Sequence, residues 1–219
     1  MDIYGLTGGI GSGKSAAAAI FEDCGIPVVS ADELSRIVVT PGSEGLAAVV
    51  AAFGEGVLTP GGELDRRKLG AVVFKDPSQR VRLEGILHPR IRDSFQDVLT
   101  ALAATGQHLV IYEVPLLFEN NLEKQMKAVI LVSAPEEQRI ARVMARDKLN
   151  VDDVRARMAA QMDDQTRRSK AQYVLENDDD LEHLRAQVEA LLAKIQPRKA
   201  AAPPPPPAAK LPPPPPTRR

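Results

Sequence analysis

The stretch GLTGGIGSGKSA, Gly5 to Ala16, stands directly behind the strand-like start MDIYG and ahead of a helix-forming run of alanines. A folding core has little use for so many glycines beside a lysine and two serines. From Gly8 to Ser15 the residues fit G-x-x-x-x-G-K-[ST], in the strand-to-helix setting that this motif requires. Glycines such as Gly9, Gly11 and Gly13 let the backbone turn tightly and approach a ligand closely. Successive N–H groups, that of Ser12 among them, can then point inward as an anion nest. The helix that follows adds unsatisfied donors and the positive end of its dipole. Lys14 supplies a mobile charge for β- and γ-phosphates, and the Ser15 hydroxyl is placed to hold Mg²⁺. A turn without function would need neither the lysine nor the serine, so the loop is read as the seat of a nucleoside triphosphate.

Outward from this loop, short apolar runs alternate with helical patterns. DIYGLT, IPVVS, HLVIYEV and AVILVS read as buried parallel strands and QYVLEN as a weaker fifth, which together predict an α/β fold with a mostly parallel sheet. The first helix is expected from about Lys14 through Cys24, stopped by Gly25 and barred from continuing by Pro27. Roughly 75 residues separate the second and third strands, far more than one crossover helix needs. Within them Leu46, Val49, Val50 and Phe53 follow helical spacing with Gly54 as a stop, TPGGELD reads as a turn, and DPSQRVRLEGILHPRIRDSFQDVLTALAATG as one or two helices. This is taken as a helical insertion, about 34–107, over one end of the sheet. A second helical insertion, about 136–170, follows AVILVSAP, and a last helix is expected from about Leu181 to Ile195 with Asp180 as its N-cap. One domain therefore covers 1–196. The tail 197–219, AAPPPPPAAKLPPPPPTRR within it, is expected to be extended polyproline II, more a solvated extension than a docking motif for a partner.

Composition narrows the function classes. The chain has 219 residues, 44% hydrophobic and 26% charged, as in an ordinary globular protein. A net charge of −1, from 28 Lys+Arg against 29 Asp+Glu, gives no reason to expect nucleic acid or an anionic membrane as partner. No apolar run approaches a bilayer span, and no basic-then-apolar leader opens the chain. The single cysteine, Cys24, rules out an intrachain disulfide framework and suits a reducing compartment, so a cytoplasmic location is expected.

A switch GTPase would carry N-K-x-D late in the chain and D-x-x-G after the third strand; neither is present, the third strand ending EVPLLFE. A small-molecule kinase needs an acid at the acceptor hydroxyl, cations for the transferring phosphoryl and a lid that excludes water. Asp32, in VVSADELSR just past the second strand, sits where a neighbouring strand end meets the phosphate loop. It serves either as that acid or as an N-cap for the helix beginning near Glu33. Arg139, Arg142 and Arg146 in QRIARVMARD share one helix face, which is either a solvated stripe or the cationic side of a lid.

In order along the chain stand GLTGGIGSGKS, SADELSR, GELDRRKLGAVVF, ILHPRIR, VPLLFE, RVMARD and YVLEN. Together they resemble the dephospho-CoA kinase family, over about Ile3 to Leu192. The resemblance implies a nucleotide core of P-loop NTPase type with a five-stranded parallel sheet, a helical insertion that receives the CoA moiety, and a helical lid. It implies transfer of the ATP γ-phosphoryl, with Mg²⁺, to the ribose 3′-hydroxyl of dephospho-CoA. Gly11 through Ala16 would wrap the ATP phosphates, Asp32 would be the acid at the acceptor, and Arg142 the leading lid arginine with Arg139 and Arg146 behind it. Asn177 would lie near the adenine, and His88 and Glu119 would contact substrate or shape its pocket. Three positions depart from the family pattern. Ser30 stands where an aspartate is usual, Ala16 replaces a threonine, and Glu113 stands where an aspartate is usual, able to reach Mg²⁺ through a water. Two other readings remain: a P-loop kinase of nucleosides or nucleotides, and a non-catalytic nucleotide-binding module that recruits a partner through its proline-rich tail.

Overall fold

The computed structural model describes residues 1–196, so the expectations for the tail 197–219 lie outside the described residues. Five strands, β1 (Asp2–Thr7), β2 (Val28–Ser30), β3 (Leu109–Glu113), β4 (Ala128–Ser133) and β5 (Tyr173–Glu176), form one parallel sheet in the order β2-β3-β1-β4-β5. The order puts β1 at the centre, and β4 is buried along its whole length, as a strand covered on both faces must be. That double burial is why these runs are continuous apolar stretches and not alternating ones. Register then positions chemistry: Glu113 lies level with Leu6 on one side and with Ser30 on the other, at the carboxyl edge where the phosphate loop leaves the sheet.

Helices α1 (Lys14–Asp23) and α9 (Leu181–Ile195) cover one face, burying Ile20, Phe21, Leu184 and Val188 against Leu6, Ile111, Ile130 and Val132. Each such side chain contributes about 1.5–3 kcal/mol when removed from water. Gly25, at φ +78°, ends α1 in the left-handed conformation that stops a helix most cheaply, as its position in the sequence suggested. Asp180 caps α9, its Oδ1 accepting from His183 N–H at 2.8 Å.

The opposite face receives α5 (Pro77–Ala104), whose Phe95 and Leu99 pack on Val110, Tyr112 and Val129. The Phe95 and Tyr112 rings stack with centroids 4.0 Å apart, and burial raises the pKa of the Tyr112 phenol. After α2 (Ala31–Ile37), whose Leu34 packs with Phe95 and Tyr112, the long insertion holds α3 (Glu44–Phe53), α4 (Arg66–Val73) and the outer half of α5, gathered round Val39, Leu46, Val49, Val57 and Leu69. The stretch expected to give one or two helices gives one, α5, which runs 28 residues through Pro89. Pro89 has no N–H to offer the Gly85 carbonyl at i−4, and the neighbouring Ile86 carbonyl accepts from Arg90 Nη1 at 2.7 Å.

After β4 come α6 (Glu136–Asp147), α7 (Val151–Ala159) and α8 (Asp164–Lys170). These have a small apolar centre of their own, Ile140, Val143 and Val154 with Leu149, Val151 and Met158, and it takes in one residue of the phosphate loop, Ile10. Arg168 locks α8 to the sheet by bonding both Glu176 oxygens, Asp164 and the Ser133 hydroxyl, and the Glu176 and Asp164 carboxylates raise its pKa further.

Candidate active site

The loop between β1 and α1 takes its shape from two glycines in left-handed conformations, Gly11 at φ +79° and Gly13 at φ +89°. A side chain at Gly13 would be impossible on a second ground: its Cβ would lie 1.9 Å from the Asn177 amide nitrogen. That amide donates to Ser12 O at 2.8 Å, while the Asn177 N–H bonds Ser133 O at 2.7 Å. Asn177 is therefore a brace behind the loop, only 8% exposed and not on the cleft wall. Expected near the adenine, Asn177 is found behind the loop with its side-chain amide bonded to the Ser12 carbonyl.

In front of the loop opens a cleft of about 790 Å³. Gly9, Gly11, Ser12, Gly13, Lys14 and Ser15 form one wall; Ser30, Asp32, Glu33 and Arg36 form another; Glu113 closes the floor and Arg142 and Arg146 the roof. Lys14 Nζ donates to Glu113 Oε1 in a mostly buried ion pair, so the lysine is already held over the sheet edge where phosphates would enter. Ala16, expected to wrap the phosphates, is not on the wall; its N–H bonds Gly13 O at 2.9 Å inside the first turn of α1.

Asp32 faces the cleft from the first turn of α2. The N-cap of α2 is Ser30 and not Asp32, the Ser30 Oγ lying 3.5 Å from Glu33 N–H. The serine that departs from the family pattern does the capping, and the Asp32 carboxylate is left to the cleft.

The three arginines of α6 separate. Arg142 Nη2 donates to Asn177 O at 3.0 Å and to Gln138 Oε1 at 3.1 Å, which aims the guanidinium toward Gly13; its Nη1 is buried without a partner. A buried donor left open beside an anion nest is a place for a phosphate oxygen. Arg146 also lines the cleft, exposed and paired with Asp147 at 2.7 Å. Arg139 does not. It is 6% exposed, its Nε donates to Ile10 O at 3.0 Å, and it opens on a neighbouring cavity between α6, α7 and α8. The start of α6 presses directly on the loop, so the first arginine of the stripe lies under the loop and the later two lie above it.

Glu119 and His88 are not on the cleft wall either. Glu119 Oε1 accepts from Arg167 Nη2 at 3.1 Å and from Met162 N–H at 3.2 Å, joining the segment after β3 to α8. His88 stands on an exposed stretch of α5. Three residues escaped the sequence reading. Arg36 stands one turn after Asp32 on the cleft wall, with no side-chain hydrogen bond or ion pair among the described residues. Gln161 accepts from Ile10 N–H at 2.9 Å, and Arg167, 1% exposed, is buried beside Gly9. The i+4 spacing from Asp32 was a usable signal for Arg36; no local pattern marked the other two.

The donor set suits Mg²⁺. Ser15 and Glu113 offer hard oxygens in one cleft, and no cluster of three or more metal-ligating side chains occurs among the described residues, so phosphate oxygens and water would complete the shell.

A phosphate loop after the first strand of a parallel sheet, a carboxylate after the second and arginines from the helix after β4 define a P-loop kinase. The dephospho-CoA kinase profile matches residues 2–183, and this chain belongs to that family. Its relatives include the dephospho-CoA kinases of Syntrophotalea carbinolica, 44% identical over 90% of this chain and 93% of that one, and of Arabidopsis thaliana, 42% identical over 90% and 84%. Among solved structures, TT1252 from Thermus thermophilus superposes with a TM-score of 0.79 at 39% identity, over 89% of this chain and 98% of that one. The dephospho-CoA kinase of Campylobacter jejuni gives 0.66 at 26%, over 88% and 96%.

Proposed function

We propose that the protein transfers the γ-phosphoryl of ATP to the ribose 3′-hydroxyl of dephospho-CoA, giving coenzyme A and ADP. The observation that carries this reading is that Lys14 and Asp32 line one cleft, in a chain whose relatives are dephospho-CoA kinases. Transfer of this kind needs positioning and charge neutralisation more than covalent chemistry. The loop N–H groups, Lys14 and Arg142 hold the triphosphate and neutralise charge as it moves to the bridging oxygen. Asp32 orients the attacking hydroxyl and takes its proton. Ser15 and Glu113 would hold Mg²⁺, which neutralises phosphate charge when bound. Arg36, one helical turn and about 6 Å along the axis from Asp32, is a free cation on the acceptor wall. It suits the pyrophosphate that dephospho-CoA carries on the 5′ side of the same ribose. The lone thiol, Cys24, supports work in a reducing compartment such as the cytoplasm.

The test is purified protein with ATP, Mg²⁺ and dephospho-CoA, followed by mass. Gain of one phosphoryl group on the acceptor supports the reading. Turnover of nucleosides or nucleotides with dephospho-CoA inert would overturn it.

A further inference from the structure

Ile10 is the apex of the phosphate loop, and glycines stand on both sides of it. A Gly-Ile-Gly apex has little intrinsic reason to keep one peptide orientation, because each flanking glycine reaches both halves of φ space. Something else must hold it, and every group of Ile10 is held from the lid. Its N–H donates to Gln161 Oε1 at 2.9 Å, on the turn between α7 and α8. Its carbonyl accepts from Arg139 Nε at 3.0 Å, on the first turns of α6. Its side chain packs with Ile140, Val143, Val154 and Met158.

Behind this contact the lid is itself fixed to the core. Arg139 and Arg167, 6% and 1% exposed, press on Gly9 so closely that a Cβ there would lie 2.3 Å from Arg139 Nη2 and 2.8 Å from Arg167 Nη1. Arg167 is paired with Glu119, and the same carboxylate oxygen takes the Met162 N–H, one residue after Gln161.

We infer that Gln161 is a positioning residue for ATP: with Arg139 it latches the apex of the phosphate loop to the lid and presets the loop's inward N–H groups before nucleotide arrives. This rests on the reading of the loop as the ATP site. Gln161 reaches the peptide and not the reacting atoms, and its effect passes through the backbone. An anion nest that is already ordered pays no ordering entropy at binding, so losing the latch weakens ATP and leaves the acceptor side untouched.

The experiment compares the full chain with Gln161→Met, which keeps length and removes the acceptor, and Gln161→Glu, which keeps an acceptor at the same reach. Amide hydrogen exchange is followed over Gly8–Ser12 without nucleotide, and ATP affinity is measured by calorimetric titration. Gln161→Met is expected to exchange faster over this segment and to bind ATP about 10-fold more weakly, the scale of one buried hydrogen bond. Its KM for dephospho-CoA stays within twofold, and Gln161→Glu recovers the exchange protection. Unchanged exchange and ATP affinity in Gln161→Met would overturn the latch, as would an effect confined to the acceptor KM. A wild-type chain that bound no ATP would instead sink the ATP-site reading itself. If Gln161→Met does not fold, wild-type exchange still decides: an Ile10 amide exchanging as freely as solvent-exposed loop amides contradicts the latch.

Discussion

At the nucleotide end of the cleft the phosphate loop is braced by Asn177 on Ser12, by Arg139 and Gln161 on Ile10, and by Lys14 on Glu113. At the acceptor end Asp32 and Arg36 stand exposed on α2, a seven-residue helix with only Leu34 buried. The two ends face different tasks. A triphosphate presents the same charged oxygens every time and is best met by donors already in place, since reorganisation at the moment of reaction would raise the barrier. The acceptor hydroxyl must be admitted, aligned and released, and a short helix on the rim of an open cleft permits that. Rigidity is concentrated where charge moves.

That contrast can be broken at several points. The largest effect is expected for Lys14→Ala, which removes the mobile cation of the nucleotide end; steady-state assays should show turnover abolished, and near-normal activity would take the loop out of the reaction. Asp32→Asn should lower kcat by about 10²–10⁴-fold while ATP binding, measured directly, is largely kept. Weakened ATP binding at an intact kcat would place Asp32 with the wrong end of the cleft.

Glu119→Gln tests the bracing and not the chemistry. It leaves the Arg167 guanidinium buried without a carboxylate, a change that costs about 3 kcal/mol and lowers Tm by roughly 10 °C for a chain of this size. An unchanged melting curve would show that the lid is not anchored there. Arg36→Ala should raise the KM for dephospho-CoA about 10-fold, the scale of one charge-assisted hydrogen bond, with the ATP KM unmoved. A rise in the ATP KM instead would move Arg36 to the nucleotide end. The smallest expected effect is that of Ser30→Ala, which removes the cap of α2 at about 1 kcal/mol, read as a small drop in Tm.

Much of the molecule was legible from local pattern. The phosphate loop, the stop of α1 at Gly25, the helix of Leu46, Val49 and Phe53, and the Asp180 cap of α9 all appear where periodicity and turn residues put them. Each depends on residues a few positions apart, whose φ preferences and side-chain spacing act within one turn or strand. Whether the stretch around Pro89 made one helix or two stayed open in the sequence, because a proline removes one hydrogen bond without fixing whether the turns on either side stay stacked; here α5 continues through it.

The amino-acid sequence by itself determined the phosphate-binding loop and the parallel sheet around it, because these rest on glycine torsions and apolar runs. It set the strand before Asp32 next to the loop strand, whereas β3 lies between the two, and Asp32 lines the cleft from one strand further out. Only the tertiary structure decided which charged groups face the cleft. Arg139, Arg142 and Arg146 are equivalent on a helical wheel, yet the first is buried under Ile10 and the others open onto the nucleotide side. Glu119 and Arg167, 48 positions apart, meet behind the loop and not in front of it. A side chain's partner across the fold is set by how helices dock on the sheet, and docking depends on the summed burial of distant apolar faces, which no short stretch of sequence contains.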